Sequence, residues 1–157
     1  MMIKSLTILF LFISSSVFAQ NLFNQRIRKL TDRKQSIYFE DGIFHNGGKR
    51  TKSELKALRH SYHKGKGYDR TVFEFKTAEL PRLYGHFTKD LRRIHLDFFG
   101  TDLSETMGSF GNSKFVKSVN FFPVTNESLS VEIELKKGVS CDIFFLNNPG
   151  RLVLDLK

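Results

Sequence analysis

The stretch Gly67-Tyr68-Asp69-Arg70-Thr71-Val72-Phe73-Glu74-Phe75 decides the fold. Gly67 can take the positive φ of a tight turn, and Asp69 can hydrogen-bond its own backbone two residues on. The rest has a period of two: Thr71, Phe73 and Phe75 lie on one face, Arg70, Val72 and Glu74 on the other. That is a half-buried strand, and the chain beyond it repeats the pattern. Arg82 to Phe87 follows a turn around Pro81. Ile94, Leu96 and Phe98 then alternate with Arg93, His95, Asp97 and Phe99. Gly100 to Asn112 is rich in Gly, Ser and Thr and reads as a loop. Phe115 to Phe122 is a strand ending at Pro123. Leu129, Val131, Ile133 and Leu135 alternate with Ser130, Glu132 and Glu134, and Lys136-Lys137-Gly138 turns the chain. Val139, Cys141, Ile143 and Phe145 follow, and Asn147-Asn148-Pro149-Gly150 leads into Leu152, Leu154 and Leu156.

The pattern of Thr71 to Phe99 returns in Leu129 to Leu156. Each unit closes on the same motif, Arg93-Ile94-His95-Leu96-Asp97 and Arg151-Leu152-Val153-Leu154-Asp155. Two antiparallel sheets, each apolar on one face, bury those faces against each other. The expected fold is therefore mainly all-β: a two-sheet antiparallel β-sandwich with internal pseudo-two-fold symmetry, one unit to each layer. Upstream, Ile37 to Glu40 and Ile43-Phe44 flank Asp41-Gly42, a hairpin turn signal. Thr51 with Glu54 fits a capping box, and Leu55 and Leu58 sit at helical spacing, so a short N-terminal helix is expected to run to about His60. Leu22, Phe23, Ile27 and Leu30 also recur at helix-like spacing, in a polar, basic lead-in whose plainer reading is a flexible terminus.

The chain of 157 residues fits one domain. Its 17 Phe and absent Trp give a core of Phe, Leu, Ile and Val. Lys plus Arg is 25 against 16 acids, a net charge of +9, which favours anionic partners. Lys4, the apolar run from Leu6 to Phe18 and the small Ala19 form a secretory signal, with cleavage expected before Gln20. The run is too short to span a bilayer, and no Cys follows the cleavage point to carry a lipid. The expected organisation is a signal peptide over 1–19, a basic extension over 20–66 and the sandwich over 67–157. The expected compartment is periplasmic or secreted, where anionic polymers are wall glycan, teichoic-type polymers and lipid head groups rather than nucleic acid. Cys141, the one cysteine, has no disulfide partner and lies in the apolar register of its strand, as a small hydrophobe.

Sites for chemistry are weighed against plainer roles. His60 and His63 straddle the end of the expected helix, with His45, His86 and His95 scattered, which is not the converging set a metal needs. Glu132 and Glu134 share a strand face and read as solvated. Asp97 and Asp155 hold corresponding places in the two units and are expected to pair with Arg93 and Arg151 or with Arg on a neighbouring strand. No cofactor and no catalytic residue is expected. The strongest signal is basic and aromatic: Arg59, Tyr62, Lys64, Lys66, Tyr68 and Arg70 form one group, and Tyr84, Lys89, Arg92 and Arg93 a second. Tyr can stack on a sugar while Lys and Arg meet carboxylate or phosphate. The plain alternative is solubility and protection of sheet edges.

The opening stretch, the closing Arg92-Arg93-Ile94-His95-Leu96-Asp97-Phe98 and its echo Asn148 to Leu156 resemble the AMIN and AMIN-like domains of exported bacterial envelope proteins. The resemblance covers about Asp69 to Lys157. It implies a sandwich of two similar sheets and a role in binding peptidoglycan or directing a host to an envelope location. Family members often carry a hydrolase or secretin domain beside the AMIN domain, and this sequence leaves no room for one after the last strand. The expected function is therefore non-catalytic: binding of peptidoglycan or another anionic envelope polymer. The alternative is a protein–protein adaptor in an envelope assembly, using a sheet edge such as Phe115 to Phe122.

Overall fold

The fold, seen in a computed structural model, is described for residues 27–32, 39–108, 110–124 and 127–157. The strands in chain order are β1 Ile27–Lys29, β2 Gly42–His45, β3 Ser53–His63, β4 Tyr68–Phe75, β5 Leu83–Thr88, β6 Arg93–Phe99, β7 Thr101–Leu103, β8 Val116–Val124, β9 Ser128–Leu135, β10 Cys141–Leu146 and β11 Arg151–Leu156. They form a six-stranded sheet of order β1-β2-β5-β6-β9-β8 and a five-stranded sheet of order β10-β11-β4-β3-β7. The pairings are antiparallel except β1 with β2 and β3 with β7, so both sheets are mixed at an edge. The layers meet through Phe73 and Phe98, with ring centroids 5.8 Å apart, and through Phe75 and Phe98 at 4.9 Å. Phe44 and Phe87 are equally buried, and each such ring contributes about 1.5–3 kcal/mol.

The two-sheet sandwich stands as expected, but the repeats are not one to a layer. β3 to β6 corresponds to β8 to β11, and each set divides between the sheets. The first hairpin of one set, β3–β4, lies beside the second hairpin of the other, β11–β10. The same holds for β8–β9 beside β6–β5. Segments 76–82 and 136–140, which read as turns, instead carry the chain across from one layer to the other. The correspondence extends to single bonds. Phe75 N donates to Gly150 O at 2.9 Å, as Leu135 N does to Arg92 O at 2.9 Å. The first strand of each set carries a bulge at a lysine: the register shifts between Leu55 and Ala57 at Lys56, and between Val116 and Ser118 at Lys117. Each lysine faces a glutamate of the next strand, Lys56 with Glu74 at 3.8 Å and Lys117 with Glu134 at 2.9 Å.

The helix expected over 51–60 is strand β3. The bulge explains the misreading. An extra residue at Lys56 changes the parity of the strand, so Leu55 and Leu58, three apart, both turn toward the core. Glu54, expected as a capping partner, takes the Lys76 ammonium at 2.6 Å, and this bond holds its carboxyl below the usual range. The lead-in of helix-like spacing lies mostly outside the described residues, and its described part, Ile27–Lys29, is strand β1. The expected hairpin about Asp41-Gly42 also fails. Phe39 exchanges two backbone bonds of 2.8 Å with Cys141 in one sheet, while Gly42–His45 pairs with β5 in the other. Gly42, at φ 115°, lets the chain switch layers there.

Candidate functional site

The fold sorts the ten basic and aromatic positions into three kinds. The first kind is already answered by carboxylates. Arg59 meets Glu74 at 3.3 Å, and Lys89 meets Glu40 at 2.6 Å. Arg93 lies between Glu132 at 3.2 Å and Glu134 at 3.9 Å. Arg70 on β4 reaches the buried Asp155 of β11 through two bonds of 2.6 and 2.8 Å. That bond raises the Arg70 guanidinium further above its already high range. Its guanidinium carbon sits 5.3 Å from the Tyr68 ring centroid and 5.9 Å from that of Phe144. Arg59, Arg70 and Arg93 are anchored on strands, and Lys89 in the turn that follows β5.

The second kind is placed elsewhere. Tyr68 is buried, its ring 4.5 Å from that of His63. Tyr84 is exposed on β5 of the six-stranded sheet, in register with Asp97 and separate from the β3–β4 group.

The third kind gathers at one end of the sandwich. The tip between β3 and β4 is a 3₁₀ turn, Lys64–Lys66, closed by Gly67 at φ 70°. Tyr62 precedes it, 37% exposed. Arg92 ends the β5–β6 turn at φ 52°, a left-handed conformation that disfavours a residue with a Cβ. Its carbonyl accepts from Leu135, so Arg92 adjoins the segment leaving β9. That segment begins Lys136-Lys137, and together with Lys114 it completes the site. Lys114 Nζ donates to Tyr62 Oη at 2.6 Å and stands 4.5 Å from the Tyr62 centroid and 5.6 Å from that of Phe115. Lys137 Nζ stands 4.7 Å from the same Phe115 ring, and Lys136 Nζ donates to Ser113 O at 2.7 Å. Among the described residues, Lys64, Lys66, Arg92, Lys114, Lys136 and Lys137 have no carboxylate within ion-pair distance. Asp90, in the Arg92 turn, is an exposed acid of these loops, and its charge acts on Lys89.

A buried carboxylate holds the end together. Asp69 Oδ2 accepts from Ser113 Oγ at 2.5 Å, from Lys114 N at 2.9 Å and from Phe115 N at 3.4 Å. Its Oδ1 lies 3.1 Å from His60 Nε2, and His60 in turn packs on Phe110, ring centroids 5.3 Å apart. Acid, histidine and serine meet here, but not as a nucleophilic triad. Ser113 Oγ donates to the acid rather than to the imidazole, and it accepts from Phe115 N and Val116 N. The cluster orders a loop. Cys141 is fully buried. Desolvation first, then Asp155 and Asp142, pushes its thiol well above the usual range. Among the described residues no group of three His, Cys, Asp or Glu is placed to hold a metal.

Sequence reasoning missed Lys114, Lys136 and Lys137. The doublet was visible only as a turn signal, and Lys114 stood alone before a strand. The pairing of β8 with β9 brings Lys114 to the doublet, and the packing of the two layers brings them to Tyr62. The class defined by these features is a two-sheet β-sandwich of doubled four-strand units with one cationic, aromatic end. Comparison with family models, with curated proteins and with solved structures finds no match to this chain.

Proposed function

We propose that this protein is an AMIN-like, non-catalytic exported module that binds an anionic polymer of the bacterial cell envelope, peptidoglycan first, at the cationic end of its sandwich. The observation that carries the reading is the contrast between neutralised and free charge. Arg59, Arg70, Lys89 and Arg93 are matched by carboxylates, whereas the loop-borne cations around Tyr62 and Phe115 are not. Like charges held together repel, and an anionic ligand relieves that repulsion. An exposed tyrosine beside ammonium groups suits a glycan bearing acidic groups. Export rests on the sequence of residues 1–19, outside the described residues.

Retention on purified wall sacculi tests this. The wild type is expected to be retained at low salt and less at moderate salt, since exposed charges are screened over about 10 Å at 0.1 M. Lys114→Ala/Lys136→Ala/Lys137→Ala is expected to lose most retention, while Lys76→Ala, at the opposite end, keeps it. No retention of the wild type at either salt removes the wall-binding claim.

One observation favours a second reading, an adaptor that docks a partner strand. β8 is a free edge of nine residues, and Phe122 and Val124 on it are 52% and 47% exposed. Crosslinking from position 122 to one envelope protein, without glycan retention, would favour it. Pro123, which lacks an N–H, limits how far a partner could pair along this edge.

A further inference from the structure

The repeat supplies an internal control for the cationic end. Lys136 N donates to Phe115 O at 2.8 Å, and at the opposite end Lys76 N donates to Glu54 O at 3.0 Å. Lys136 and Lys76 are therefore one position of the repeat, and Phe115 and Glu54 another. At the opposite end the lysine is neutralised by that glutamate at 2.6 Å. At the cationic end an aromatic ring replaces the glutamate and carries the Lys114 and Lys137 ammoniums. Beneath it, Asp69 corresponds to Leu129: Asp69 pairs with Leu156 as Leu129 pairs with Phe98. Both are fully buried. The sandwich accepts an apolar side chain at that position and an ion pair above it. A buried carboxylate is costly to keep, and this one fixes the loop that presents Lys114. The lysines and their support belong to this end alone, not to the fold.

We propose that the cationic end is a binding site for phosphate monoester groups. It rests on the proposed function only in placing the ligand at this end. Lys114 and Lys137 stand against one ring, and Lys136 adjoins Lys137 in the chain, so three ammonium-bearing residues are gathered on these loops. A phosphate monoester carries about −1.5 to −2 charge at pH 7 and matches two of them, where a carboxylate leaves one unmatched. The two-bond carboxylate contact within the chain, Arg70–Asp155, is made by a guanidinium, whereas lysines meet carboxylates through single contacts, as in Lys76–Glu54 and Lys89–Glu40. The end is instead furnished mainly with lysines on loops. Their rotatable donors can approach a tetrahedral oxyanion from several directions. Tyr62 Oη accepts from Lys114 and so keeps its own proton to donate to a phosphoryl oxygen. A lipid headgroup and a soluble sugar are the two sources of such a phosphate, and the test separates them.

Amide-resolved NMR titration of the full mature chain tests the class, with inorganic pyrophosphate against citrate, a tricarboxylate of closely similar charge. Saturable shifts are expected at Lys114, Phe115, Lys136 and Lys137, with pyrophosphate bound about tenfold more tightly than citrate. Lys114→Ala/Lys137→Ala abolishes the shifts, and Lys76→Ala leaves them. Co-sedimentation with phosphatidic acid vesicles, but not with phosphatidylglycerol vesicles of equal anionic content, supports the site with a lipid source. Pyrophosphate binding without co-sedimentation supports it with a soluble source. Equal affinity for citrate and pyrophosphate, shifts centred elsewhere, or no shifts overturns it. The wall reading is judged separately: sacculus retention without pyrophosphate selectivity removes the phosphate site alone, and selectivity without retention removes wall binding alone.

Discussion

Asp97 and Asp155 occupy one position of the two repeats and are answered differently. Asp155 is fully buried and accepts from Arg70 Nε and Nη2; Asp97 is half-buried and accepts from Ser130 Oγ at 2.5 Å, with His95 Nε2 at 3.2 Å. The sequence reading put these acids in corresponding places and expected arginine partners, and for Asp155 the partner is Arg70, on the neighbouring strand. The two sites should respond unequally to truncation. Arg70→Ala leaves a buried charge without its bidentate partner and is expected to cost about 3 kcal/mol in urea denaturation. Ser130→Ala, at the more exposed counterpart, is expected to cost about 1 kcal/mol. Equal losses would show that burial does not separate them. The same scale explains why four of the ten candidate residues proved to be anchored: a sequence displays cations but not the carboxylates that a neighbouring segment brings to them.

At the scale of the element, the bulges govern what could be read. In β9 the alternation of Leu129, Val131, Ile133 and Leu135 is unbroken, all four are buried, and the strand was legible. In β3 one inserted residue turned a period of two into an apparent period of three, and a capping signal at Thr51 completed the illusion of a helix. The side chain of Lys56 is dispensable and its backbone is not. Lys56→Ala is expected to cost less than about 1 kcal/mol, as for a surface ion pair. Deleting Lys56 puts Leu55 on the outer face if β3 keeps its pairing beyond the bulge, and should cost several-fold more. Chemical denaturation of the two variants checks this, and similar stabilities would mean that the register is not pinned there.

For the whole molecule, the division of each repeat between both sheets has a consequence for cooperativity. β4 of the first repeat is bonded to β11 of the second, and β6 to β9, so neither repeat owns a layer. Unfolding is expected to be one transition, with tyrosine fluorescence and far-ultraviolet circular dichroism coincident in urea. Two separated transitions would mean that the repeats unfold as independent units. The binding end is also a product of this scale. Tyr62, Lys114 and Lys136 come from separate segments: the pairing of β8 with β9 brings Lys114 to Lys136, and the packing of the two sheets brings both to Tyr62.

The sequence by itself determined the β class, the doubling and the two-layer architecture, because alternation and repetition are local and survive in a one-dimensional string. It also marked Tyr62, Lys64, Lys66 and Arg92, by residue type. Tertiary structure decided how the repeats interlock, which cations stand beside carboxylates and which are left free. The physical reason is that charge pairing depends on distances across strands, and those distances are set by bulges and layer crossings that leave little trace in residue type.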